Sequence, residues 1–136
     1  MDLMKSILLS ASGLDAQSAR MKVISENMAN VDSTSQEPGG DPYQRKILTF
    51  QDKLDRTLGV EKVTVGRTVR DTAAFQLHYD PGNPGADANG YVKQPNVNML
   101  IEMADMREAQ RSYEANLSAI DAAKSMTMRT IDLLRS

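Results

Sequence analysis

The side chains able to do acid–base, nucleophilic or metal chemistry are few in this sequence, and they are badly spaced for it. There is no Cys, which removes a thiolate nucleophile, a disulfide framework and a thiolate zinc site together. There is one His, His78, and its only close titratable neighbour along the chain is Asp80. A general base needs a positioned substrate and a group that orients it, so His78 reads as a surface or packing residue. Asp87-Ala88-Asn89-Gly90 resembles the interior of a calcium loop, but Gly85 stands where the first ligand belongs and no Glu closes the loop. The glycines form neither of the two common phosphate-cradling motifs. The expectation is no catalytic, no cofactor-binding and no metal-binding residues.

The informative spacing lies at the two ends. Met4, Ile7, Ala11, Leu14, Ser18, Met21, Ser25 and Met28 recur at alternating intervals of three and four. That is a heptad seam, and it predicts a helix over 1–31. Gly13 is a weak point in it, since Gly costs about 1 kcal/mol against Ala in a helix interior. Asn27 and Asn30 stand near its end, where Asn suits a helix C-terminus. At the other end, Asn96 or Asn98 can cap a helix whose opening turns carry Glu102 and Asp105. From there the seam runs Met99, Met103, Met106, Gln110, Tyr113, Leu117, Ile120, Lys124, Thr127, Ile131 and Leu134, with no Gly or Pro. Such a helix is about 55 Å long, against a radius of gyration of about 14 Å for a compact chain of this size.

Between the helices, 32–42 is a Gly/Pro-rich loop, and 43–50, 61–69 and 75–79 read as short strands. Asp80–Gly85 is a double turn, and Asn89-Gly90 a tight turn before Tyr91-Val92. The predicted class is mainly α with a small β part. Long N- and C-terminal helices pack as a coiled coil, with a short β-hairpin element between them. Residues 1–31 and 96–136 would form one discontinuous helical domain, and 32–95 a loop and β-rich insert.

Two Phe, four Tyr and no Trp make a large core hard to build. Two narrow seams alone bury little, so they belong either to an ordinary helical bundle or to an assembly completed by other chains. The 16 basic and 18 acidic residues are mixed along the chain, which argues against a nucleic-acid surface. No apolar run reaches membrane-spanning length, so no direct membrane insertion is expected. The apolar stretch after Lys5 is too short for a cleaved secretion signal. Residues 1–31 lack the Lys/Arg enrichment of a membrane-surface helix.

Four stretches carry a resemblance. They are Asn27-Met28-Ala29-Asn30-Val31-Asp32-Ser33; Pro42 to Lys46; Tyr79 to Pro84 with Asp87 to Val97; and, in the last helix, Glu102-Met103, Arg111 to Asn116 and Lys124-Ser125-Met126. Together they resemble the flagellar axial proteins of bacteria, and within them the C-type members of the proximal rod. Ser33 and the loop at 35–42 depart from the common axial pattern.

The resemblance implies a structural subunit, not an enzyme. Its terminal helices would polymerise into the axial drive shaft that carries torque from the inner-membrane ring to the distal rod and hook, across the periplasm. It implies export through the flagellar type III apparatus without a cleaved signal. The implied partners are other proximal and distal rod proteins, the rod-to-ring adaptor and inner-membrane ring, the export apparatus and copies of itself. The expected subunit-interface residues are Ile7, Leu14, Met21, Asn27, Met28 and Asn30 at one end. At the other they are Met103, Met106, Tyr113, Asn116, Leu117, Ile120, Ile131 and Leu134. A soluble helical adaptor or export chaperone that binds partner helices would share the same heptads.

Overall fold

The computed structural model describes residues 2–136. Its elements, in order, are α1 (Leu3–Ala29), β1 (Lys46–Asp55), β2 (Val60–Arg70), β3 (Gln76–Tyr79), β4 (Tyr91–Gln94) and α2 (Met99–Arg135). β1 pairs with β2, and β3 pairs antiparallel with β4, with Gln76 opposite Gln94 and Tyr79 opposite Tyr91. This is the mainly helical class with a small β part that the periodicity predicts.

Both helices begin where a side chain satisfies their free N–H groups. Asp2 Oδ1 accepts the Met4 N–H at 3.0 Å, and Asn98 Oδ1 accepts the Leu100 N–H at 3.0 Å. α1 ends at Asn30, whose side-chain Nδ2 donates to the Glu26 carbonyl at 2.8 Å. The asparagine there supplies a hydrogen bond and needs no left-handed backbone, since no non-Gly residue among those described has a positive φ.

The β part is larger than the alternation suggests. β1 starts three residues later than the expected strand and runs to Asp55, through Gln51-Asp52-Lys53, which have little intrinsic strand preference. Cross-strand pairing with β2 extends it, and one strand's own pattern does not carry that information. The hairpin turns through Arg56–Gly59, where Asp55 Oδ1 accepts the Thr57 N–H at 3.0 Å and Gly59 takes φ 65°. In the second sheet Gly90 is required twice. Its φ is 85°, and a Cβ there would lie 2.9 Å from the Tyr79 ring, which packs edge-on against Tyr91 with centroids 5.3 Å apart.

The chain divides into two compact units. One comprises Met1–Met21, Thr49–Arg67 and Arg107–Ser136, and the other Lys22–Leu48 and Thr68–Met106. Each therefore takes part of both helices and part of the segment between them.

The interior is small. Its buried apolar residues are Ala16, Ile24, Val92, Ala109 and Ala123, three of them alanines. The accessible surface is 9456 Å². A folded monomer of this mass exposes about 7,000 Å² by the usual size scaling, so roughly a third more surface faces outward than a self-sufficient domain would leave.

Candidate functional site

Within the unit of Lys22–Leu48 and Thr68–Met106, the tie between helices and strands is polar. Asn27 is 1% exposed and Glu102 is fully buried. Asn27 Nδ2 donates to the Lys46 carbonyl at 2.9 Å, and the Lys46 N–H donates to Asn27 Oδ1 at 2.9 Å. The carboxamide thus pairs with the Lys46 peptide as a neighbouring strand would. The Tyr43 hydroxyl donates to the same Oδ1 at 2.8 Å, and Asn27 Nδ2 reaches Glu102 Oε2 at 3.4 Å.

Arg45 closes the node. Its Nε donates to Glu102 Oε1 at 2.5 Å and its Nη1 to Asp71 Oδ2 at 3.2 Å, while Nη2 lies 3.6 Å from Asp105 Oδ2. Burial opposes the Arg45 charge, but the hydrogen bonds and negative charges of Glu102 and Asp71 outweigh it and hold the guanidinium above its ordinary value. The Asp71 carboxyl is held below its ordinary value, first by the Ala73 N–H and then, against some burial, by Arg45. Burial pushes the Tyr43 hydroxyl up. Asn96 Oδ1 accepts the Arg45 N–H at 2.7 Å, and Asn96 Nδ2 donates to the Asp71 and Ala73 carbonyls at 3.0 Å each. Of the two candidate caps, Asn98 starts α2 and Asn96 serves this node. The polar side chains named here find their partners within the chain.

In the other unit, α1 and α2 meet where Gly13 faces Asn116. A Cβ at Gly13 would lie 2.7 Å from Asn116 Oδ1 and 2.8 Å from its Cγ. Gly13 is therefore a point of close helix approach. The space at Gly13 is thus taken by the Asn116 side chain, whatever the residue costs the helix. Arg20 Nη2 pairs with Glu108 Oε2 at 3.4 Å, so the helices run antiparallel here.

On the part of α2 in this unit, Ala109 and Ala123 are buried and Tyr113, Asn116 and Ile120 half-buried. Met103 and Leu117 are exposed at 43% each. Small buried residues such as Ala109 and Ala123 are passed over by a search for large apolar side chains. The signal that could have marked them is the seven-residue recurrence of Glu102, Ala109, Asn116 and Ala123.

The expected interface residues are distributed as follows. Ile7, Leu14, Met21, Met28, Asn30, Met106, Tyr113, Asn116 and Ile120 are half-buried, and Met103, Leu117, Ile131 and Leu134 are exposed. Asn27 is buried with its amide fully engaged inside the chain. Spacing marks Asn96 only as a candidate cap and does not mark Arg45 or Asp71, because the three meet only when separate loops come together.

His78 is exposed on β3, opposite Val92. Asp87 Oδ1 accepts the N–H groups of Asn89 at 2.8 Å and Tyr91 at 3.0 Å, so this carboxylate closes its own turn. Among the described residues no three His, Asp or Glu side chains are grouped to hold a metal ion, and no helix is long and apolar enough to cross a membrane.

The described residues thus combine a buried polar node, a helix contact at Gly13 and Asn116, and large apolar residues that face outward. Comparison with known proteins identifies the family. The profile described as "Flagella basal body rod protein" matches residues 7–35, and "Flagellar basal body rod FlgEFG protein C-terminal" matches 88–133. The chain belongs to the flagellar basal-body rod protein family and is a structural rod subunit of the flagellar basal body. Among its relatives are proteins named flagellar basal-body rod protein FlgC. The one from Agrobacterium fabrum (strain C58) is 54% identical, covering 94% of this chain and 92% of its own. Those from Salmonella typhimurium (strain LT2) and Bacillus subtilis (strain 168) are 42% and 38% identical. The first covers 92% of each chain, and the second 94% of this chain and 95% of its own.

Proposed function

We propose that this subunit forms part of the proximal rod and acts mechanically, with no catalytic step, by polymerising through the outward faces of its terminal helices. Burial of those faces against neighbours makes a continuous shaft able to carry torque from the inner-membrane ring toward the distal rod and hook. The observation that carries this reading is the inverted use of apolar residues. Alanines fill the interior, while Met4, Leu100, Ile101, Met103, Leu117 and Ile131 stand outside. The excess surface of roughly 2,400 Å² exceeds one partner's share of a standard interface, about 800 Å². Several neighbours per subunit are therefore needed to cover it.

The neighbours are other proximal and distal rod proteins, the rod-to-ring adaptor and inner-membrane ring, and further copies of this chain. The subunit reaches the periplasm through the flagellar export apparatus without a cleaved signal. Met103, Leu117, Ile131 and Leu134 contribute apolar contacts, and the half-buried Ile7, Leu14, Met21, Met28, Met106, Tyr113 and Ile120 are partly covered by neighbours. The side-chain amides of Asn30 and Asn116 donate within the chain, to the Glu26 and Ser112 carbonyls, and so support the helices that present these faces.

The test is to express the chain in flagellate cells that lack their own copy, then purify basal bodies. Recovery of the full-length chain in the rod, with motility restored, is the expected result. Its absence from rods at normal cellular levels would refute the reading. A soluble adaptor would instead remain in the cytoplasmic fraction.

A further inference from the structure

We propose that the last turns of α2 in one copy seat in a hollow beside the start of α1 in a second copy. The proposal rests on the rod-subunit reading and names one contact within it.

The Gly13–Asn116 and Arg20–Glu108 contacts set the antiparallel register in this unit. Continued residue for residue, that register places Leu3 level with Met126. A hollow of about 640 Å³ lies there, lined by Leu3, Met4, Ile7, Thr127 and Met128, with the charged groups Asp2 and Lys124 also on its wall. Residues 129–135 continue past the start of α1, an overhang of about 10 Å. On it Ile131 is half-exposed, and Leu133 and Leu134 are 76% and 82% exposed.

The overhang is an unbroken part of α2, so it cannot fold back to fill the hollow beside it. A second copy's overhang can fill it. Hollow and overhang are both apolar, and their charges match in opposite sense. Asp132 of the incoming helix meets Lys124, and Arg129 or Arg135 meets Asp2. An overhang-in-hollow contact joins two different patches. It does not close on itself, as growth of a polymer requires.

The chain has no Cys, so introduced thiols report without background. Full-length Met4→Cys and Leu134→Cys chains would be co-expressed in the cells described above, and basal bodies treated with a short thiol cross-linker. Both sites are exposed in the single chain, and circular dichroism of each variant checks its fold. A cross-linked heterodimer in excess of either homodimer is expected. Asp132→Lys in the Leu134→Cys chain should reduce its yield severalfold, and Lys124→Asp in the Met4→Cys chain should restore it. A predominant Leu134→Cys homodimer, or no heterodimer although both chains enter the rod, overturns the proposal and leaves the rod reading intact. Exclusion of the unsubstituted chain from the rod overturns both.

Discussion

Replacing Arg45 with Ala removes the cation from a node whose other half, Glu102, has no access to water. The carboxylate would keep only the Asn27 amide, at 3.4 Å. Breaking a buried ion pair from one side costs about 3–5 kcal/mol, because the remaining charge stays desolvated and uncompensated. Total stability for a chain of this length is about 7–20 kcal/mol, so the loss is a large share of it. With a urea dependence of about 2 kcal/mol per molar, the unfolding midpoint should fall by about 2 M.

Glu102→Gln should cost less, because Arg45 keeps Asp71 and Asp105. Arg45→Met with Glu102→Leu should recover most of the loss, since apolar side chains of similar size replace the pair without stranding a charge. Urea unfolding at pH 7, followed by far-ultraviolet circular dichroism, measures all three. An Arg45→Ala variant within about 0.5 kcal/mol of the parent, the range of ordinary surface changes, would refute the reasoning. So would a double variant no more stable than Arg45→Ala alone.

Four further outcomes are expected. Leu117→Asp, at an exposed position, should leave the helical spectrum of the purified chain unchanged yet exclude it from isolated basal bodies. Gly13→Ala should gain less than the ~1 kcal/mol its helix preference offers, because Asn116 must move. Gly13→Ala with Asn116→Ala should recover that gain in urea unfolding. Asp71 and Asp55 both have folded values lowered from 3.8, Asp55 chiefly through its bond with Lys62. Their stabilisation is therefore complete above that value and is lost as pH falls through the lowered one. Unfolding followed from pH 7 to 2 should show a flat upper region and a fall at the acid end that Asp71→Asn makes shallower. His78→Ala, at an exposed position without a described hydrogen bond, should leave motility unchanged in swimming assays, and its loss at normal protein level would argue against a purely structural role.

The sequence by itself determined the two long helices, the start of the second to within two residues, and the turns. Those features are local: a three–four recurrence without Pro, an Asn at a helix start, an Asn-Gly pair that admits a positive φ. It also determined the shortage of core, because few aromatics and narrow seams are properties of composition. Tertiary structure decided which face of each helix is used inside the chain. Ala109 and Ala123 are buried and Gly13 lies under the Asn116 side chain, and small size has no apolar signature to read. It also decided the polar node. Asn27, Arg45, Asp71 and Glu102 are distant along the chain, and their pairing exists only once loops and helix ends are brought together. A buried charge is stable only when its partner arrives with it, so no single segment could announce the site.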